Sequence, residues 1–263
     1  MSESKPVAMP VPAATILIVR EGAGGMEVFM VKRHHQIDFV AGALVFPGGK
    51  ATKSDFDPDL GDFCDGMAAL SSDMHAVVVA AIREAFEESG ILFARARGET
   101  HLIDAARLAT LSAYRHKLEK GEMSMLDMLR AEDLRLAGDL LTHFAHWVTP
   151  KMMPKRFDTH FFVAIAPEGH AGAHDGRESV DSTWIRPEDA IADRKRWNVI
   201  FPTKLNLMKL AQSKTPDEAI AAAKKAPPLT VEPWMETGPE GQTLRIRSDA
   251  GYEQTSATMR EAL

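Results

Sequence analysis

The chain has 263 residues, 45% of them hydrophobic, enough to bury one large core or a domain with additions. A formal charge of −6 argues against wrapping nucleic acid or binding an anionic membrane, and leaves room for a phosphorylated small molecule whose charge a metal offsets. The single cysteine, Cys64, excludes an internal disulfide framework and a cysteine-based zinc site. The first twenty residues hold no signal-peptide apolar core, and no run approaches membrane-spanning length. The ending Glu261-Ala262-Leu263 is not a peroxisomal-type address. A soluble cytoplasmic protein is expected.

In chain order, Ala14 to Arg20 and Met26 to Lys32 read as an antiparallel hairpin around Glu21 to Gly25. Its glycines lack the following helix and the spacing of a phosphate loop. Ala43 to Phe46 reads as a short strand broken by Pro47-Gly48-Gly49, where paired glycines permit close backbone approach to a ligand. His34 and His35 would point to opposite faces of a strand, which argues against a shared metal. Residues 51–70 read as an irregular loop, and their aspartates lack the order of an EF-hand.

Ser71 to Phe93 is the central stretch. On a helix, Glu84, Glu87 and Glu88 fall within a narrow arc, with Val78, Val79, Ile82, Ala85 and Phe86 roughly opposite. Ser71, Ser72 and Asp73 supply N-cap chemistry, and Gly90 stands where the helix should stop. Three carboxylates on one turn repel each other. A cation held among them would turn that cost into binding, and oxygen-only ligands suit Mg²⁺ or Mn²⁺. From three glutamates alone, a solvated acidic face is the competing account.

Further on, Leu102 to Leu118 and Met123 to Leu136 carry helical spacing, with a break near Gly121. Phe144 to Val148, Phe157 to Ala166 and Ser179 to Ile185 read as strands. His170 and His174 lie among glycines, off any reliable helix, and do not make a zinc pair. Helices are expected at Pro187 to Asp193, Thr203 to Gln212 and Pro216 to Lys225. From Ala226 onward, prolines and glycines mark an extended tail, with an edge strand at Thr243 to Arg247.

Phe46-Pro47-Gly48-Gly49-Lys50, followed by a helix bearing Arg83-Glu84-x-x-Glu87-Glu88-x-Gly90, resembles the signature of Nudix hydrolases. That signature is G-x5-E-x7-R-E-U-x-E-E-x-G-U, with U a bulky aliphatic residue. Arg83, Glu84, Glu87, Glu88, Gly90 and Ile91 stand in place, and Ala85 is a small occupant of the first U. Gly49 precedes Arg83 by 34 positions where the signature has 14, so about 20 residues are extra, and the first Glu, counted back from Arg83, falls on His75. An interrupted box of this kind resembles the branch of coenzyme A diphosphatases. So do Gly42 to Gly49, Trp147-Val148-Thr149-Pro150, Arg156-Phe157-Asp158-Thr159 and Pro202-Thr203 with Asn206-Leu207.

The resemblance implies an α/β fold with a mixed β-sheet sandwiched between helices (α/β/α). The domain would span residues 8–225, with a loop insertion at 51–70 and a helical insertion at 94–142, followed by a tail at 226–263. It implies a metal-dependent hydrolase cleaving a nucleoside diphosphate linked to another moiety. CoA or acyl-CoA would be the substrate, giving 3′,5′-ADP and 4′-phosphopantetheine. ADP-ribose or a nucleotide sugar is the alternative substrate, and a non-catalytic ligand sensor the alternative of another class. Glu84, Glu87 and Glu88 are carried over as ligands of Mg²⁺ or Mn²⁺. Gly48 and Gly49 are carried over as points of close approach. Arg83 orients Glu87 from four residues away, with Asp73 a possible stand-in for the displaced first Glu. Glu84 or Glu178 would be the general base, and Arg33, Lys155 and Arg156 are candidates to meet substrate phosphates. The partner is then a small nucleotide-derived molecule, with no nucleic acid and no membrane. The helical insertion shapes either the pocket or a dimer interface, so a homodimer stays open.

Overall fold

The computed structural model describes residues 7–33, 42–174, 179–193, 195–239 and 241–258. Strands β1 (Val11–Gly22) and β2 (Gly25–Arg33) form the expected hairpin, with Gly22 opposite Gly25. Their alternation feeds two cores: Ile16 and Ile18 point to one face of the sheet, Leu17 and Val19 to the other. Two short strands follow, β3 (Leu44–Val45) on β2 and β4 (Gly48–Lys50) on β1, with Gly49 opposite Ala14.

Three 3-10 turns, at Lys53–Phe56, Pro58–Phe63 and Met67–Ala69, carry the chain into helix α1 (Ser72–Ser89). Ser71 caps the helix by accepting from the Met74 N–H, and Gly90 ends it at a φ of 70°. Val78, Val79, Ile82, Ala85 and Phe86 are all buried in one core with Ile16, Ile18 and Phe162. That apolar stripe seats α1 on the sheet and turns its glutamates toward β4.

The insertion after α1 comprises β5 (Ala94–Ala96), α2 (Ala105–Thr110), α3 (Ser112–Glu119), α4 (Met125–Glu132) and β6 (Leu134–Leu136). The helix expected from Met123 through Leu136 therefore stops early. Asp133 takes a left-handed φ of 51°, and Leu134–Leu136 pair with β5. The physical reason is alternation: Leu134 and Leu136 face the core, while Arg135 between them faces Asp65.

The rest of the chain supplies β7 (Thr142–Val148), β8 (Phe157–Ile165), β9 (Ser179–Ile185), α5 (Pro187–Ala192), α6 (Phe201–Leu210), α7 (Pro216–Lys225) and β10 (Thr230–Val231). The main sheet runs β10-β7-β8-β1-β2-β3, with β4 also on β1 and β9 also on β2. It is mixed, because β1 runs parallel to β8 and β10 parallel to β7. Helix α1 covers one face, and residues of α6 and α7 pack in the core on the other. This is the α/β/α sandwich that the resemblance implies. No helix of the described residues is long and apolar enough to cross a membrane.

The last segment is more closely attached than an extended tail. Besides β10 in the main sheet, it forms a three-stranded sheet of β11 (Trp234–Gly238), β12 (Gly241–Arg245) and β13 (Ser256–Thr258). Tyr252 is buried, accepts from Trp147 Nε1 at 2.8 Å and donates to Asn206 Oδ1 at 2.7 Å.

Candidate active site

Helix α1 and strand β4 meet edge to face. The Gly48 N–H donates to Glu88 Oε2 at 2.9 Å, fixing one carboxylate against the backbone. A Cβ added at Gly49 would lie 2.5 Å from Glu84 Oε1, so the absence of a side chain at 49 is what admits Glu84. Arg83 lies under this surface and bridges its parts. Its Nη1 donates to Glu84 at 2.8 Å and to both oxygens of Glu87 at 3.2 Å, and its Nη2 donates to the Lys50 carbonyl at 2.8 Å.

The remaining partner of Arg83 is Asp55. Its Oδ1 accepts from Nε at 3.0 Å and its Oδ2 from Nη2 at 3.0 Å, with the carboxylate wholly inaccessible to solvent. Asp55 is locked in turn by Thr52, whose N–H and Oγ1 donate to Oδ2 at 2.7 and 3.0 Å. Burial works against the Arg83 charge, but Glu84, Asp55 and Glu87 together hold the guanidinium more firmly protonated than usual.

This corrects the reading of the interrupted box. Counting back from Arg83 lands on His75, yet the His75 ring instead bonds the Met67 carbonyl at 2.7 Å, well up the helix. Asp73 sits in the first turn of α1 and does not fill the gap either. Counting forward from Gly49 lands on Asp55, six positions on, where the signature has its first Glu. The acid is present, one methylene shorter, and the extra residues fall after it. Forward counting is the signal that finds it.

The other expected site residues separate. Arg33 ends β2, and its Nε is buried with no hydrogen-bond partner among the described residues. Lys155 is exposed in the turn before β8. Arg156 is only 6% exposed and has its donors committed elsewhere. Nε donates to the Thr149 carbonyl at 2.9 Å, Nη1 to the Ala8 carbonyl at 2.8 Å and Nη2 to Glu232 at 2.6 Å. It pins the N-terminal segment and the tail to the β7–β8 turn in place of the expected phosphate contact. Glu178, His34 and His35 lie outside the described residues.

The donor set suits a hard divalent cation: carboxylate oxygens, mostly buried, beside a backbone stripped of side chains. Burial, against the pull of Arg83 and with the help of the Glu84 charge, pushes the Glu87 carboxyl up to about 7. Such a carboxylate is short of positive charge, which a cation supplies. Arg83 Nη1 draws Glu84 and Glu87 together, while Glu88 is held on the Gly48 N–H, so the three carboxylates border one surface from two anchors.

A mixed sheet between helices, with a glycine strand facing an Arg-Glu-x-x-Glu-Glu helix, defines a Nudix hydrolase fold. Residues 64–208 match the NUDT19 Nudix domain, and the chain belongs to that family. The match begins beyond Gly49 and Asp55, so the first half of the box rests on the geometry above. The chain is 26% identical over 217 residues to acyl-coenzyme A diphosphatase NUDT19 of Xenopus laevis, covering 67% of this chain and 57% of that protein. It thus spans little more than half the length of that relative. The crystal structure of a NUDIX hydrolase from Alicyclobacillus acidocaldarius is similar at a TM-score of 0.71 and 28% identity, over 81% of this chain and 96% of that one. Nudix hydrolases in general need divalent metal ions.

Proposed function

We propose that this protein hydrolyses the diphosphate bridge of CoA or acyl-CoA, releasing 3′,5′-ADP and (acyl-)4′-phosphopantetheine. The observation that carries the reading is the carboxylate face of α1 held against Gly48 and Gly49 by the buried Arg83–Asp55 pair, in a chain similar to an acyl-coenzyme A diphosphatase. Glu84, Glu87 and Glu88 would hold Mg²⁺ or Mn²⁺. When bound, the cation neutralises the diphosphate and makes water a better nucleophile at neutral pH.

The chain's own residues do the positioning. Arg83 sets the rotamers of Glu84 and Glu87, and the Gly48 N–H sets that of Glu88. The bare backbone at Gly49 seats the Glu84 carboxylate, and with it a cation that would meet the phosphoryl group. Proton removal from the attacking water falls to Glu84 or Glu178. Arg33, with its unpartnered Nε, is suited to an anionic group of the substrate.

The test is a screen with Mg²⁺ or Mn²⁺ against CoA, acyl-CoA, ADP-ribose, dinucleoside polyphosphates and nucleotide sugars, with products read by mass. CoA should give 3′,5′-ADP and 4′-phosphopantetheine. Turnover of ADP-ribose or a nucleotide sugar with CoA left intact would overturn the substrate. Binding without turnover of any of them would favour a ligand sensor.

A further inference from the structure

The α1 face of the sheet carries a second polar group, on β7 and β8. A bulge between His143 and Ala145 breaks the alternation of β7, so Phe144 and Ala145 both enter the opposite core. His143 and His146 are thereby left together on the other face. His160 of β8 stands opposite His146, their rings stacked 4.0 Å apart and 13° from parallel. Asp158, two residues before His160, places Oδ1 2.5 Å from His146 Nε2 and 4.0 Å from His160 Nε2.

The second nitrogen of each ring is already engaged. His146 Nδ1 is 2.9 Å from Thr230 Oγ1, and His160 Nδ1 is 3.1 Å from His143 Nε2. That leaves Nε2 of His146 on the carboxylate oxygen and Nε2 of His160 beside it at 4.0 Å. A hydrogen bond at the far nitrogen is how metal-binding histidines are oriented. The three donor atoms lie within 4.8 Å of one another, the one group of described residues with that spacing.

We infer that His146, Asp158 and His160 form a site for a first-row transition divalent cation, Zn²⁺ foremost, separate from the carboxylate face of α1. Two imidazoles with one carboxylate select zinc-like ions, whereas oxygen-only ligands select Mg²⁺ or Mn²⁺. Ligand atoms of a tetrahedral zinc stand ~3.3 Å apart. Reaching that spacing lengthens the Asp158–His146 contact and shortens the Asp158–His160 one, each by less than ~1 Å on the same bond lengths, and turns one of the two stacked rings so that both Nε2 lone pairs meet at the ion. The side chains of His146, His160 and Asp158 are 17%, 15% and 37% exposed, so coordination positions stay open to water or an anionic ligand. In the sheet, His160 pairs with Ala14, and Ala14 with Gly49. Two strand spacings, roughly 10 Å, separate this site from the glycine facing Glu84. A cation there would face a ligand lying on the α1 side of the sheet.

The experiment titrates the full chain with Zn²⁺ in excess Mg²⁺, with Co²⁺ absorption as a second readout of nitrogen ligation. One Zn²⁺ equivalent is expected in the wild type and in Glu87→Gln. In His146→Ala combined with His160→Ala, affinity should fall at least ~100-fold, and Thr230→Val, which keeps all three ligands, should weaken it roughly tenfold. Zinc affinity unchanged in the double variant would overturn the site, as would no zinc equivalent in the wild type. Loss of the equivalent in Glu87→Gln alone would reassign it to α1. Should circular dichroism show the double variant unfolded, Thr230→Val decides: wild-type affinity there overturns the site.

Discussion

Asp55 and Arg83, 28 positions apart, meet in a buried pair of hydrogen bonds, each 3.0 Å long, between a carboxylate and the two nitrogens of one guanidinium edge. Removing one partner of a buried pair strands the other charge. Asp55→Ala should therefore destabilise the protein by about 3 kcal/mol, the low end for such pairs, because Glu84, Glu87 and the Lys50 carbonyl still contact Arg83. Urea unfolding measures this. Asp55→Glu, which restores the acid of the signature, should retain most of the stability. A loss below about 1 kcal/mol for Asp55→Ala would mean that the pair is worth no more than an exposed one.

Glu87→Gln keeps the size and hydrogen-bonding reach of the side chain but removes its charge. The fold should stay intact by circular dichroism, and metal-dependent hydrolysis should disappear. Unchanged turnover would sink the assignment of Glu87 as a cation ligand.

The raised Glu87 carboxyl predicts how metal and pH interact. Its folded pKa of about 7 lies above the ordinary 4.5. In the metal-free protein its contribution to stability is thus complete below pH 4.5 and is lost as pH rises through about 7. A divalent cation binds the ionised form and offsets that loss. Thermal melts with and without Mg²⁺ should show a larger stabilisation near pH ~8 than near pH ~5.5. Equal shifts at both would remove Glu87 from the ligands.

Adjacent glycines should fail in different ways. A Cβ at Gly48 would lie 2.4 Å from the Ala14 carbonyl oxygen and 2.7 Å from Thr15 Cα, both backbone atoms of β1. Gly48→Ala should push β4 off β1 and cost ~1–3 kcal/mol. A Cβ at Gly49 meets the end of the Glu84 side chain, which can swing away. Gly49→Ala should leave the melting temperature nearly unchanged while metal affinity and kcat drop. A stable, fully active Gly49→Ala variant would show that Glu84 needs no cradle.

What was legible in the sequence was local. The hairpin, α1 with its caps, and the glycine strand follow from periodicity and turn chemistry within a few residues of each other. Leu134–Leu136 reads as helix in the sequence because three residues are too few to separate a strand from the end of a helical pattern. Arg156 has the composition of a phosphate contact, and only the packing of Ala8 and Glu232 around it reveals another task. The histidine group depends on the register of β7 against β8 and on a one-residue bulge, neither written in spacing. Asp55 is intermediate: its position is countable, but its burial against Arg83 is a fact of three dimensions.

The interruption after Asp55 also has an entropic side. The Asp55–Arg83 contact closes a loop with 27 residues between its ends, where the uninterrupted signature has 7. Because closure entropy grows only with the logarithm of length, that difference amounts to about 1 kcal/mol. One buried ion pair, with the intervening chain folded into the turns at Pro58–Phe63 and Met67–Ala69, is enough to absorb it. The spacing between the halves of the box is therefore nearly free to vary. What the site requires is that the two ends of the loop meet.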